Sequence, residues 1–132
     1  MSRPKRKRKI ENPPVMEGFK PFGIPILDLE PEILLYEEYE SIRLSDYLGM
    51  NQDDAARIMN VSRATFTRIY EQARRTIAKA FVEGKVIFIK GGDYITDDYW
   101  YRCNLCMKVN ITSEEINNCT FCHSHSLCRL NV

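Results

Sequence analysis

Apolar residues recur at steps of three and four positions through the middle of the chain, the spacing of one face of an α-helix. This stripe consists of Phe66, Ile69, Ala73, Ile77 and Ala80. At about 100° per residue, the opposite face carries Ala64, Thr67, Arg68, Glu71 and Arg75. The pattern predicts a helix that packs its apolar stripe inward and exposes a face rich in arginine.

The polar residues before this stripe predict a second, shorter helix and a tight turn. Asn51 is a favourable N-cap, and the acids in the turn after it suit the positive end of the helix dipole. Asn60 tolerates the left-handed conformation that ends a helix abruptly, and Ser62 can cap the next one. Ala55, Ala56 and Ile58 supply its packing face. Two helices joined by such a turn predict a helix-turn-helix.

The start of the second helix is the part that reaches base edges in this motif. The predicted DNA contacts there are Ser62, Arg63, Ala64, Thr67 and Arg68. Arg74, Arg75 and Lys79 lie further along and suit phosphates, which fix register without reading sequence. The alternative interpretation is an ordinary helical hairpin with a solvated basic face.

The segment NQDDAARIMNVSRATFTRIYEQARRTIAKAF resembles the region-four helix-turn-helix of bacterial sigma factors. Together, FKPFGIP, EEYESIRLSDYLGMNQDDAA and EGKVIFIKGGDY resemble an uncharacterised prokaryotic family of predicted DNA-binding proteins, domain-of-unknown-function family 134. The resemblance spans about three quarters of the chain and implies a DNA-binding regulator. The basic N-terminus, RPKRKRK, lacks a cysteine expected there, so no metal or redox role is carried over to it.

Elements outside the motif follow from prolines, glycines and β-branched runs. Residues 36–47 predict a third helix, with Glu37, Glu38 and Glu40 on a solvated face and Gly49 at its end. Residues 19–31 should be extended, because prolines forbid a long helix, with apolar anchors at Phe19, Phe22, Ile24, Ile26 and Leu27. Residues 86–89 and 94–95 predict a β-hairpin across a glycine turn, a plain structural pair or a wing on DNA.

Charge is segregated along the 132 residues, although the net charge is only +1. Residues 28–54 hold nine acids against Arg43 alone, whereas residues 55–80 hold six basic residues against Glu71. The local field is what a nucleic acid meets. No apolar run has the length of a membrane span and no signal peptide is evident, which predicts a cytoplasmic protein. The sequence shows neither an acid/base pair nor a nucleophile motif, so we do not expect an enzyme.

The first 18 residues predict a disordered basic arm. Its positive charges include Lys5, Arg6, Lys7 and Arg8. Such an arm can follow phosphates or enter a minor groove, as homeodomain arms do, or it can be a solvated tail.

Four cysteines near the C-terminus form two chelating pairs, Cys103-x2-Cys106 and Cys119-x2-Cys122. Their spacing is close to that of zinc fingers and ribbons, and four thiolates suit structural Zn²⁺. His123, His125 and Cys128 crowd around the second pair, and any of them could replace a cysteine. Free thiols, redox disulfides and an iron–sulfur cluster are the alternatives to zinc. Cys119-Thr-Phe-Cys122-His123 also matches the haem-attachment pattern, which the missing signal peptide disfavours.

These patterns predict a mainly α fold: a three-helix helix-turn-helix domain with a short β-hairpin at residues 19–95, after a basic arm at 1–18. A zinc knuckle follows at 96–132, with Tyr94, Tyr99, Trp100 and Tyr101 as an aromatic junction. The predicted function is sequence-specific binding of double-stranded DNA in transcription regulation, with a homodimer as a reasonable assembly. The alternatives are an interaction protein that acts with RNA polymerase and an iron–sulfur or redox-sensing regulator.

Overall fold

The computed structural model describes residues 7–25 and 30–131. The chain divides into two compact units, Met1–Ile95 and Thr96–Val132. The helices of the first unit are α1 (Tyr36–Ile42), α2 (Gln52–Ile58) and α3 (Arg63–Glu83), and a π-helical turn (Arg43–Tyr47) continues α1. No helix of the described segments combines the length and apolar character that crossing a bilayer requires.

Helices α2 and α3 form a helix-turn-helix with the predicted caps. The Asn51 side chain accepts a hydrogen bond from the backbone N–H of Asp54 at 2.8 Å, and the Ser62 hydroxyl accepts one from Thr65 at 3.2 Å. Between the helices, Asn60 has a φ of 56°, in the left-handed region. The turn therefore ends one helix and starts the next within four residues, 59–62.

The core of the motif is built from the predicted apolar faces together with one residue of the π-helical turn. The buried members are Leu44, Ala55, Ala56, Met59, Phe66 and Ile69. Small alanines on α2 let α3 approach closely, and Phe66 fills the space between the two helices with no exposed surface. The angle between the helices is thus fixed by packing.

The first unit contains two small sheets in addition to its helices. Strands β1 (Arg8–Lys9) and β5 (Tyr94–Ile95) pair in parallel. In the second sheet, β4 (Ile87–Ile89) lies between β2 (Gly18–Phe19) and β3 (Glu32–Leu34), antiparallel to β2 and parallel to β3. Strands that precede the helices in the chain therefore pair with strands that follow them.

The predicted β-hairpin of residues 86–95 is wrong. Both edges of β4 are already occupied, by β2 and β3, so β5 has no free edge to return to. The glycine segment between them is held elsewhere: the Gly91 carbonyl accepts a hydrogen bond from Tyr36 N–H at 3.1 Å. β5 therefore pairs with the N-terminal strand.

The predicted mainly α fold is also wrong. The described residues form three α-helices and one π-helical turn, but also eight strands in three sheets, so the architecture is mixed α/β. Five of these strands have only two or three residues and lie in the first unit. Of these five, β4 and β5 were predicted as strands, although with the wrong pairing. The other three are too short to show an alternation of apolar and polar residues, so the sequence pattern did not predict them.

Part of the predicted disordered arm, residues 1–18, belongs to the fold. Residues 1–6 lie outside the described part of the chain, but Arg8 and Lys9 form β1, and Ile10 is buried with 1% of its surface exposed. Among the predicted anchors of the extended segment, Phe22 is fully exposed and Phe19 and Ile24 are exposed as well, while residues 26 and 27 lie outside the described segments.

The three acids of α1 do not form the predicted solvated face. Glu37, Glu38 and Glu40 are all buried. Each carboxylate has a backbone N–H donor: Asp93 for Glu37 at 3.0 Å, Leu35 for Glu38 at 2.9 Å and Glu11 for Glu40 at 2.9 Å. Arg43 Nε also donates to Glu40 Oε1 at 2.6 Å. The acids tie α1 to loops and to the N-terminal segment, which a local sequence pattern does not show.

The second unit is a three-stranded antiparallel sheet with the order β7-β6-β8. Its strands are β6 (Tyr99–Cys103), β7 (Val109–Thr112) and β8 (Leu127–Arg129). Trp100 is fully buried, and its backbone N–H donates to Asn131 Oδ1 at 2.8 Å. The aromatic residues of β6 thus pack within this small unit, whereas Tyr94 packs edge-on against Tyr36 in the first.

Candidate nucleic-acid interface and metal centre

The start of α3 presents the predicted base-contacting residues to solvent. Ser62, Arg63, Ala64 and Arg68 are exposed, and Thr67 is half-buried. Since Phe66 and Ile69 face the core between them, the exposed residues occupy one side of the helix. This surface can offer guanidinium and hydroxyl donors to a groove of DNA.

Two polar contacts connect this surface to α2. Arg63 Nη1 lies 3.2 Å from Asp53 Oδ2, with both side chains mostly exposed. The Thr67 hydroxyl donates a hydrogen bond to Gln52 Oε1. The first turn of α2 therefore orients the first two turns of α3. The sequence pattern did not predict these contacts of Gln52 and Asp53, because they depend on how α2 crosses α3.

The residues predicted to contact phosphates differ in whether their side chains already have partners within the fold. Arg75 is exposed, whereas the Arg74 guanidinium lies over the Tyr70 ring, 5.5 Å from its centroid. Lys79 Nζ is 3.1 Å from Glu32 Oε1. Arg75 is therefore the most available of the three, because the other two already have partners within the fold.

The described part of the N-terminal segment holds two of the four assigned basic residues. Lys7 is exposed. Arg8 has only 12% of its side chain exposed, and its Nη1 lies 3.9 Å from Glu37 Oε2 and 3.8 Å from Asp93 Oδ2. We therefore assign Arg8 to the fold of the first unit and not to DNA. Lys5 and Arg6 lie outside the described residues.

The four paired cysteines come together in the second unit. The Sγ atoms of Cys103, Cys106, Cys119 and Cys122 all lie within 4.8 Å of one another. The Cys103–Cys122 distance is 3.5 Å and the Cys106–Cys119 distance is 3.7 Å. In a tetrahedral Zn–S4 centre with bonds of about 2.3 Å, neighbouring sulfurs are about 3.8 Å apart. The cluster thus has the size that a tetrahedral metal ion requires.

The two cysteine pairs adopt the same backbone turn. Cys103 N–H donates to Lys108 O at 3.0 Å, and Met107 N–H donates back to Cys103 O at 2.9 Å. In the second pair, Cys119 N–H donates to Ser124 O at 2.9 Å and His123 N–H to Cys119 O at 3.0 Å. Backbone hydrogen bonds therefore form the turn around each cysteine pair without the help of a metal.

Backbone N–H groups also point at the sulfurs. Leu105 and Cys106 donate to Cys103 Sγ at 3.4 and 3.5 Å, and Phe121 donates to Cys119 Sγ at 3.4 Å. Donors stabilise a thiolate over a thiol. The Ser124 hydroxyl and these N–H groups lower the pKa of Cys103 to about 6. The pKa of Cys119 is also lowered: burial opposes the shift, but the N–H donors outweigh it.

Asn110 is a supporting residue that sequence analysis missed. It is buried on β7; its Nδ2 donates to Cys119 Sγ at 3.5 Å, and its Oδ1 accepts from Thr120 N–H at 2.7 Å. Both contacts orient the second cysteine pair. A lone asparagine in a strand gives no local signal of such a role.

The three additional candidate ligands lie outside the four-sulfur cluster. Of the described His, Cys, Asp and Glu side chains, only the four paired cysteines form a group with metal-binding geometry. His123 is exposed with a φ of 64°, so it serves the turn after Cys122. His125 is exposed, and so is Cys128, which lies on β8.

Comparison with known proteins gives a consistent family but no described activity. The sequence profile described as "Protein of unknown function DUF134" matches residues 1–97. A UPF0251 protein of Chloroherpeton thalassium is 40% identical over 129 residues, covering 96% of this chain and 85% of the relative. One from Methanococcus maripaludis is 44% identical over 117 residues, covering 89% and 88%. One from Halothermothrix orenii is 43% identical over 106 residues, covering 80% and 78%. No solved structure matches the chain.

Proposed function

The chain belongs to the family described as Protein of unknown function DUF134, and from that membership and the geometry of its two units we propose a DNA-binding transcription regulator with a structural zinc site. The observation that carries the first part is the exposed basic start of α3, held by α2 in a helix-turn-helix. Double-stranded DNA is the partner, and the cytoplasm is the compartment.

The shape and charge of α3 support this proposal. Its apolar stripe faces α1 and α2, so the basic residues at the start of the opposite side remain exposed to solvent. Arg63 and Arg68 lie about 1.4 turns apart along the helix, and both are exposed. Arginine at the start of a recognition helix can donate two parallel hydrogen bonds to a guanine edge. An ordinary helical hairpin does not need residues placed in this way.

The proposal assigns Arg63, Ala64, Thr67 and Arg68 to base edges and Arg75 to phosphate. Ser62 keeps the helix start in place and can donate to a phosphate as well. Lys5, Arg6 and Lys7 are assigned to the DNA backbone. Because phosphate contacts dominate affinity, the complex should weaken as salt rises.

The zinc assignment rests on the four sulfurs and their donors. Zn²⁺ prefers four thiolates in structural sites, and a unit of 37 residues buries too little apolar surface to be stable alone. When bound, the metal would supply folding free energy to this unit. The cysteines would hold the ion, and Asn110 would keep the second pair oriented.

The experiment for DNA binding is selection from random double-stranded oligonucleotides by the purified full chain, followed by titration of the enriched sequence. Enrichment of a defined motif, bound at least about 1,000-fold more tightly than random DNA, supports the proposal. If no motif is enriched, the DNA assignment is wrong. If one is enriched only when RNA polymerase is added, the chain acts with the polymerase, as the similarity to sigma region four would imply.

Metal analysis tests the second part independently. One zinc per chain without visible absorbance supports the zinc site. A brown protein containing iron and labile sulfide would replace zinc with an iron–sulfur cluster.

A further inference from the structure

An apolar cavity of about 470 Å³ lies in the first unit, between α1, α3 and the sheet of β2, β4 and β3. Its apolar wall includes Leu34, Ile42, Ile77, Ala80, Ile87 and Ile89. The lining residues Phe19 and Phe81 are exposed, so the cavity is open to solvent on one side. Sites for small molecules have volumes of roughly 300–1,000 Å³ and mostly apolar walls.

The polar side chains that line the cavity are basic or neutral, and none is acidic. Lys20 and Lys85 line the cavity, together with the half-buried Tyr39. The described lining residues include no aspartate or glutamate. A ligand that places a charge here therefore meets ammonium groups and a phenol, which suit an anion.

The two lysines that line the cavity differ in whether carboxylates already neutralise them. Lys85 Nζ lies 3.7 Å from Glu32 Oε1, but Lys79 Nζ approaches the same oxygen more closely, at 3.1 Å. Glu83 Oε1 is 3.9 Å from Lys85 Nζ. Glu30 also acts on Lys79. Lys20 lines the cavity and forms no ion pair within the described residues, so it is the ammonium group available to an anion.

We propose that this cavity binds a small amphipathic anion, an aliphatic or aryl-alkyl chain that ends in a carboxylate. The chain would lie among the isoleucines, and the carboxylate would lie between Lys20 and Lys85. Burial of the methylenes supplies the affinity, at about 0.8 kcal/mol for each methylene group. The lysines select the charge. The site is separate from the DNA-contacting residues, because it involves the C-terminal half of α3 and the proposed contacts lie at its N-terminal end.

The test is calorimetric titration of the full chain, at its native zinc content, with decanoate and with decyltrimethylammonium. The two probes share a ten-carbon chain and differ in the sign of the head group. One decanoate per chain should bind, and the cation should bind at least about fivefold more weakly.

Cavity-filling variants locate the binding. Ala80→Leu and Ile87→Phe place added carbons into the cavity from two different elements, and each should weaken decanoate binding at least about tenfold. Val82→Leu is the matched control, because Val82 is 80% exposed on the same helix and lies outside the lining. Circular dichroism checks that each variant is folded. Lys20→Gln combined with Lys85→Gln should weaken decanoate about fivefold and leave the cation unchanged.

Three outcomes would overturn the proposal. Decanoate does not bind; or it binds equally to the wild type and to both folded cavity-filling variants; or the two probes bind with equal affinity. If decanoate does not bind and sedimentation shows a dimer that Phe81→Ala dissolves, the cavity is covered by a second copy of the chain instead. None of these measurements involves DNA, so their failure is distinguishable from failure of the DNA assignment.

Discussion

Arg63 Nη1 lies 3.2 Å from Asp53 Oδ2, an ion pair that joins the first residue of α3 to the first turn of α2. The pair holds the guanidinium in place, but it also puts a carboxylate beside the surface proposed to contact DNA. Asp53 therefore orients Arg63, and its carboxylate would also repel the phosphates of bound DNA. Which effect dominates is a matter of magnitude, and exposed ion pairs contribute only about 0.2–1 kcal/mol.

Asp53→Asn should strengthen DNA binding by about two- to fivefold, because repulsion of phosphates is removed while the exposed pair contributes little. Asp54→Asn is the matched control, since Asp54 has the same charge but pairs with Arg57. Fluorescence anisotropy with a labelled duplex measures both affinities. Weaker binding of Asp53→Asn, with no change for Asp54→Asn, would show that orientation of Arg63 is the larger effect.

Arg68→Ala should weaken binding to the selected DNA sequence by about 1–3 kcal/mol and relax the sequence preference, because a base contact is lost. Arg75→Ala provides the comparison, because a lost phosphate contact should weaken selected and random DNA alike. Titration of each variant with both duplexes separates the two roles. An equal loss on random DNA for Arg68→Ala would reassign that residue to phosphate.

Removing residues 2–7 deletes four positive charges and leaves strand β1 intact. The slope of log affinity against log salt should become shallower, because fewer counterions are released from DNA. The control is Arg8→Gln, whose main expected effect is on stability, since Arg8 neighbours the buried Glu37. Thermal unfolding should show a lower Tm for Arg8→Gln and an unchanged Tm for the deletion. An unchanged salt slope would make the arm a solvated tail.

Cys103→Ser and Cys119→Ser should each abolish stoichiometric zinc binding and unfold the second unit, because metal binding and folding are coupled in so small a unit. The helical unit should keep its far-UV signal. Cys128→Ser is the matched control, because Cys128 lies outside the four-sulfur cluster and should keep one zinc per chain. Loss of zinc from Cys128→Ser would mean that the four sulfurs are not the site.

Burial raises the pKa of Glu38 above 4.5, although the Leu35 N–H opposes the shift. An acid whose pKa is raised by folding favours the native state at low pH and disfavours it as pH rises through the folded pKa. Glu38→Gln keeps the acceptor for Leu35 and removes the buried charge. The variant should therefore gain stability over the wild type as pH rises above 4.5, because the wild type must then ionise a buried carboxyl group. Urea unfolding at pH 4.5 and pH 7 measures this, and an equal difference at both pH values would contradict it.

The helix-turn-helix was predictable because its determinants are local. Asn51 and Ser62 cap through hydrogen bonds to residues only three positions away, and Asn60 takes its left-handed conformation within the turn. The four cysteines were also predictable as one cluster, because each pair chelates through a short turn of its own. In both cases, the residues that contact each other are also close in sequence.

The remaining features depend on distant partners. β1 finds β5 across more than eighty residues, and β4 pairs with two strands that precede the helices. Glu37 is buried because Asp93 N–H reaches it from 56 residues away. The sequence around an acidic residue predicts that it is exposed to solvent, because it does not show the distant N–H group that donates a hydrogen bond to the carboxylate. The apolar cavity likewise arises from α1, α3 and a sheet in which only the central strand, β4, was predicted from the sequence.

The π-helical turn at Arg43–Tyr47 lets one continuous segment serve two different interiors. Before the turn, Tyr39 and Ile42 face the apolar cavity; within it, Leu44 enters the core of the helix-turn-helix. The wider turn accommodates one more residue than an α-helical turn does. Removing a single residue there would shift the helical phase by about 100° and point the position of Leu44 away from Phe66. Register within this turn therefore determines whether the same segment can line the cavity and also contribute to the core of the helix-turn-helix.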